Sequence, residues 1–103
     1  EPFSVTLHWQ ALRDDVGTDY VAFVQLLDEN GRVLAQSDSQ PVQGSRPTSS
    51  WIAGEFLQDK HLLTFRETEF AGETRLIVGL YELGNGNGRL PTSAGGDFFQ
   101  LPE

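Results

Sequence analysis

Residues 19–51 read DYVAFVQLLDENGRVLAQSDSQPVQGSRPTSSW, and this stretch decides the fold class. Tyr20 to Leu27 is apolar on both faces except at Gln25, the pattern of a central strand covered on both sides. The run stops at Asp28. Asn30-Gly31 follows, the strongest short hairpin signal, because both residues tolerate positive φ. On the returning strand Val33, Ala35 and Ser37 alternate with Leu34, Gln36 and Asp38. Ser39 to Ser50 then holds two prolines, one glycine and five serines or threonines before Trp51. It is not a central strand, since proline lacks the ladder donor.

The same period of two recurs on either side. Val5, Leu7, Trp9 and Ala11 face one way, and Thr6, His8 and Gln10 the other. A turn is expected over Asp14–Gly17. Glu55 to Phe65 reads as a strand with Phe56 on one face and Leu57, Leu63 and Phe65 on the other. After a turn at 71–73, Leu76, Val78 and Leu80 alternate with Arg75, Ile77, Gly79 and Tyr81. A flexible Gly-Asn loop over Gly84–Gly88 leads to Arg89-Leu90-Pro91, and Phe98 to Leu101 is a last short strand. About seven short strands with regular turn signals and no helical period predict an all-β, antiparallel sandwich. It is immunoglobulin-like in architecture only, because the chain has no cysteine and so no disulfide.

The 103 residues make one domain, long enough to bury roughly 65% of the unfolded surface in one core. Fifteen acidic against seven basic residues give a formal charge of −8. Such a surface repels phosphate backbones and anionic bilayers, so nucleic acid and membrane surfaces are poor partners. No run approaches the roughly 18 apolar residues of a membrane helix, and no signal-peptide pattern is present. The chain opens on Glu1-Pro2 just before an apolar alternation, with no methionine anywhere. It reads as a piece of a longer or processed protein.

Catalytic chemistry finds little purchase. His8 and His61 are the only imidazoles, both at strand positions, and no G-x-S-x-G elbow accompanies them. Asp28, Asp38, Glu55 and Asp59 lie near strand ends or loops, where a glycosidase pair is conceivable but strand termination is the simpler role. Asp28-Glu29-Asn30-Gly31 resembles the start of a calcium loop without its closing glutamate, and the hairpin requires the same Asn-Gly. We therefore expect no enzyme activity, no metal and no cofactor in this domain. Trp51 stands out because it ends a polar loop. It either stacks on a sugar ring or folds back to plug the end of the sandwich. Arg89 is expected to pair with a carboxylate such as Asp38 or Asp59. Core burial and turn chemistry account for Tyr20–Asp38, whereas Ser39–Trp51 has no comparable folding reason to be so particular. A site is expected there.

Several separated motifs carry a resemblance. These are Trp9-x-Ala11-Leu12, Asp19-Tyr20-x-x-Phe23-Val24-x-Leu26-Leu27-Asp28, Gly31-Arg32, Ala35-Gln36-x-Asp38 and Pro47-Thr48-Ser49-x-Trp51. Gly54-Glu55, Asp59, Val78-Gly79-Leu80-Tyr81 and Gly88-Arg89-Leu90 continue the series. Together they resemble the extracytoplasmic C-terminal β-domain of bacterial multi-spanning glycosyltransferase-like proteins, similar to protein mannosyltransferases and lipid-linked arabinose transferases. The resemblance implies a non-catalytic accessory domain on the extracytoplasmic side, tethered through its parent. Its partner would be a carbohydrate or acceptor, or the membrane-embedded part of the parent chain. Trp51, Tyr81, Asp38, Asp59 and Arg89 are the candidate ligand-binding residues, aromatics for stacking and charged groups for hydroxyls. The alternative is a structural or protein-interaction module.

Overall fold

The computed structural model describes residues 3–12, 17–65, 72–84, 88–90, 96 and 98–101. Its strands are β1 (Phe3–Gln10), β2 (Tyr20–Leu27), β3 (Val33–Ser39), β4 (Phe56–Phe65), β5 (Arg75–Glu82) and β6 (Phe99–Leu101). A single 3-10 turn, Thr48–Ser50, interrupts the connection from β3 to β4. Every pairing is antiparallel, in the order β1-β4-β3-β2-β5-β6. The antiparallel all-β architecture therefore stands. The finer expectation of a sandwich of about seven strands meets a different arrangement: the six strands found among the described residues form one sheet, curled as a half-barrel. The turn expected over Asp14–Gly17 and the middle of the Gly84–Gly88 loop lie outside the described residues.

The curl follows from where the apolar faces go. Leu7, Val24, Ala35, Leu63 and Val78 form one buried cluster. Leu7 is on β1 and Val78 on β5, four strand positions apart in the sheet order. In a flat sheet they would stand roughly 19 Å apart, at about 4.8 Å per strand. The sheet bends instead so that β1 and β4 face β2 and β5. The bend falls between β3 and β4, which share only the pairs Ala35↔Phe65 and Gln36↔Thr64.

β2 is covered on both sides, as its sequence predicts. Val24 and Ala22 face the concave core with no exposed surface, while Phe23, Leu27 and Ile77 form a second cluster on the opposite face. Each fully buried side chain of this kind contributes about 1.5–3 kcal/mol. The alternation of β1 and β4 also holds, with Leu57, Asp59, His61 and Leu63 buried and Phe56 exposed.

The β2–β3 hairpin forms by a different turn from the one its Asn-Gly suggests. Only Gly31 has positive φ, at +86°. Asp28 organises the turn: its Oδ1 accepts from the Asn30 and Arg32 amides, each at 2.9 Å. The Arg32 amide bond, resisted by burial and aided by Asn30, holds this carboxyl below its ordinary value. The longer loop also shifts the register between Leu26 and Leu27. That bulge lets Leu34, expected on the same face as Gln36 and Asp38, bury completely.

Candidate functional site

Ser39–Trp51 folds back over one end of the half-barrel, and nearly every residue type in it has a structural partner. Arg46 engages Glu55 through both terminal guanidinium nitrogens, Nη1 to Oε2 and Nη2 to Oε1, the latter at 2.7 Å. Nη2 also donates to the Ser50 carbonyl at 3.2 Å. The Arg46 hydrogen bond, with help from the Ile52 amide, holds the Glu55 carboxyl below its usual value. Thr48 is buried; its hydroxyl donates to the Thr18 carbonyl at 2.8 Å and accepts from the Tyr20 amide at 3.0 Å. Asp19 Oδ1 accepts from the Ser49 amide at 3.1 Å. The expectation that this loop lacks a folding reason for its particular sequence is thus corrected: Arg46, Thr48 and Trp51 make tertiary bonds that periodicity does not reveal.

Trp51 takes the plug position. It retains 8% of its surface and packs with Ala11 and Leu57, with Trp9 and Val42 at the margin. Its Nε1 donates to the Arg46 carbonyl at 2.9 Å. Its ring stands 6.2 Å from that of Trp9 at 45°. Beside this pair lies a recess of about 360 Å³, lined also by Tyr20, Thr48, Leu80 and Leu90. Gln10 and the exposed Leu12 form its rim. The recess is therefore built by β1, the start of β2, the 3-10 turn and the end of β5.

Asp59 fixes Trp9 from beneath. This carboxylate is fully buried and accepts three hydrogen bonds: Trp9 Nε1 at 3.1 Å, His61 Nε2 at 2.9 Å and the Val42 amide at 2.9 Å. With its proton on Nε2, His61 accepts at Nδ1 from the Ser37 hydroxyl, 2.9 Å away. Burial pushes the Asp59 carboxyl up, but the bonds from His61, Trp9 and Val42 outweigh it and hold it below the ordinary aspartate value. Ser37, His61 and Asp59 are thus in line, but the ring nitrogens are used in the reverse sense from a hydrolase triad. His61 is 1% exposed. The chain positions Trp9 and anchors Val42, whose φ of +55° is costly for a β-branched residue.

The five sequence-predicted residues fall into two groups. Trp51 lines the recess, and Asp59 lies behind it as a positioning residue out of reach of solvent. Asp38, Tyr81 and Arg89 meet on the outer face of β3-β2-β5. There the Tyr81 hydroxyl donates to Asp38 Oδ2 at 2.8 Å, and the Arg89 guanidinium lies 4.4 Å over the Phe23 ring. Phe23 and Tyr81 rings are 6.1 Å apart. Trp9 and Tyr20 are the aromatic recess residues the candidate set omits, and Gln10 and Thr48 the polar ones. The sequence signal for Trp9 is its inward position on β1, the same as that of Val5, Leu7 and Ala11. Among the described residues no cluster of His, Asp and Glu is placed to hold a metal ion. Compared with protein-family models, curated proteins and solved structures, the chain matches none.

Proposed function

We propose that this chain is a non-catalytic accessory β-domain of an extracytoplasmic, membrane-tethered glycosyltransferase-like protein. In this reading the recess beside the Trp9–Trp51 pair takes one sugar ring of a carbohydrate acceptor, stacked on the half-buried Trp9 with Trp51 packed behind it. The observation that carries it is the rigid indole pair. Both N–H groups are engaged internally, so the rings present apolar surface without an unmet donor. The C–H face of a pyranose matches such a surface. No hydrogen bond ties the Tyr20 hydroxyl or the Gln10 amide side chain to another described residue. They are the groups available to orient sugar hydroxyls. At about 360 Å³, the recess sits at the low end of roughly 300–1,000 Å³ for small-molecule sites, which suits one ring rather than an oligosaccharide. The motif resemblance supports the parent class and the location. The same reading includes an immunoglobulin-like sandwich architecture, with β1-β4 as one layer and β3-β2-β5-β6 as the other.

The test is an amide and indole NMR titration with a panel of monosaccharides and short glycans. At least one member should shift the Trp9 and Trp51 indole signals saturably. Tyr20→Phe should weaken that member about fivefold, the equivalent of one hydrogen bond of about 1 kcal/mol. Indoles unmoved by the whole panel at millimolar sugar would sink the idea. One observation favours a second reading, a module that packs on its parent chain. Leu12, Ile52 and Phe56 are 86%, 62% and 76% exposed. Phe56 is opposite Gln10 in the β1–β4 register, and the Gly54 amide bonds to the Ala11 carbonyl. Silence at the indoles, together with release from the parent by Ile52→Ser and Phe56→Ser, would select this reading.

A further inference from the structure

β1 and β6 are the two ends of the sheet, and the curl brings them to opposite sides of one groove. The groove holds about 420 Å³ between Thr6–Trp9 of β1 and Phe99–Gln100 of β6, with Val78 between them. The phase of the ladders determines which backbone groups face it. The Ala11 amide donates to the Glu55 carbonyl and the Gly54 amide to the Ala11 carbonyl. Odd residues of β1 therefore bond to β4, and Ser4, Thr6 and His8 turn their N–H and C=O groups outward. On the other side, the Leu90 amide bonds to the Leu80 carbonyl and the Glu82 amide to the Gly88 carbonyl. Even residues of β5 thus bond toward β6, so Val78 pairs with Phe99 through hydrogen bonds and Gln100 turns its backbone outward.

Among the described residues this edge carries none of the usual protection. β1, FSVTLHWQ, contains no proline, lysine, arginine or carboxylate, and its pairing with β4 has no bulge. The floor is apolar, formed by Leu7, Trp9 and Val78, and Phe99 at the side is 51% exposed. Gln100 also borders a second recess of about 300 Å³, lined by Asp28, Glu29, Glu73 and Arg75. Asp28 there is committed to its turn and to Arg32, 3.4 Å away. Glu29 and Glu73 are exposed, on a domain of net charge −8.

We propose that the groove is a strand-addition site for an extended peptide. Its residues are apolar at alternate positions, and a lysine or arginine at one end reaches Glu29 and Glu73. Alternate side chains would cover Leu7, Trp9 and Val78, while the peptide backbone bonds to Thr6 and His8 on one side and Gln100 on the other. Because all pairings are antiparallel, β1 and β6 run in opposite directions. The added strand is antiparallel to one and parallel to the other. It closes the half-barrel and removes both free edges. This does not rest on the carbohydrate reading.

The test uses a terminally blocked Lys-Val-Thr-Val-Thr-Val-Thr peptide, a control with proline at its centre and a control with glutamate for lysine. Titration followed by NMR should shift the Thr6, His8 and Gln100 amides saturably and slow their exchange, with the Trp51 indole unmoved. The proline control should not bind, and the glutamate control should bind about tenfold more weakly at low salt. Thr6→Pro removes an outward donor that an edge strand can spare, and should abolish binding with the fold retained. Glu73→Gln leaves the edge intact and should weaken only the lysine peptide. The proposal is overturned if millimolar peptide shifts none of these amides, or if they are already protected in the free protein. It is also overturned if the free protein dimerises through β1, because a second copy then takes the edge.

Discussion

Replacing Asp59 by asparagine tests the brace behind Trp9. The buried carboxylate satisfies three donors, two at Oδ2 and one at Oδ1. Asparagine keeps one oxygen. With that oxygen toward Trp9 and His61, its amide group faces the Val42 amide, donor against donor. The opposite orientation loses two bonds, so the first is preferred. It forfeits one hydrogen bond to a charged group, about 1.5–3 kcal/mol. It also reduces two charge-assisted bonds to neutral ones, about 0.5–1 kcal/mol each. Relief from burying a charge returns part of this, leaving a net loss of about 3 kcal/mol against a typical total of about 5–15. Urea unfolding followed by tryptophan fluorescence should show the midpoint falling by about 1.5 M at a slope of about 2 kcal/mol/M. A second signature is pH. Because the folded Asp59 pKa lies below its unfolded value, its contribution is complete above about pH 4 and is lost as pH falls through the folded pKa. The gap between the two proteins should therefore narrow on acidification. A midpoint change under about 0.5 M, or a gap independent of pH, would refute the argument.

Three further outcomes follow from the same geometry. Tyr81 should titrate at about 12, raised first by burial and then by the Asp38 hydrogen bond and charge. Its share of stability is complete below about pH 10 and fades as pH rises toward the folded value. Ultraviolet titration of Asp38→Asn, with Tyr81→Phe as blank, should show that pKa falling. Trp51→Ala removes the centre of the Ala11–Leu57 cluster and should cost about 3–5 kcal/mol in urea unfolding. In the wild type, emission from buried indoles should be blue-shifted and poorly quenched by iodide. Gln43 is exposed with φ +55°. Gln43→Gly should raise stability by about 0.5–1 kcal/mol, because relief of the left-handed backbone exceeds the added unfolded entropy. No rise would mean that neighbouring bonds relieve the strain.

Period-two alternation determined the strands by itself, since inward and outward residues of β1 and β4 differ at every step and a register slip would expose the whole core face. A run apolar on both faces made β2 a doubly covered strand, and Asn30-Gly31 placed a turn after Asp28. The tertiary structure decided what alternation cannot: whether the strands form two sheets or one. That depends on how far the sheet curls, and the two-pair contact of β3 with β4 is a long-range outcome. The site divided in the same way. Trp51 was visible because a tryptophan at the end of a polar loop is unusual, whereas Asp59, expected near a strand end or loop, and His61, expected only at a strand position, are placed inside the core by the tertiary structure. The partners 17 and 50 residues away, Val42 and Trp9, were not visible. Hydrogen bonding across such separations leaves no periodic trace, because it depends on where the chain returns rather than on what it contains.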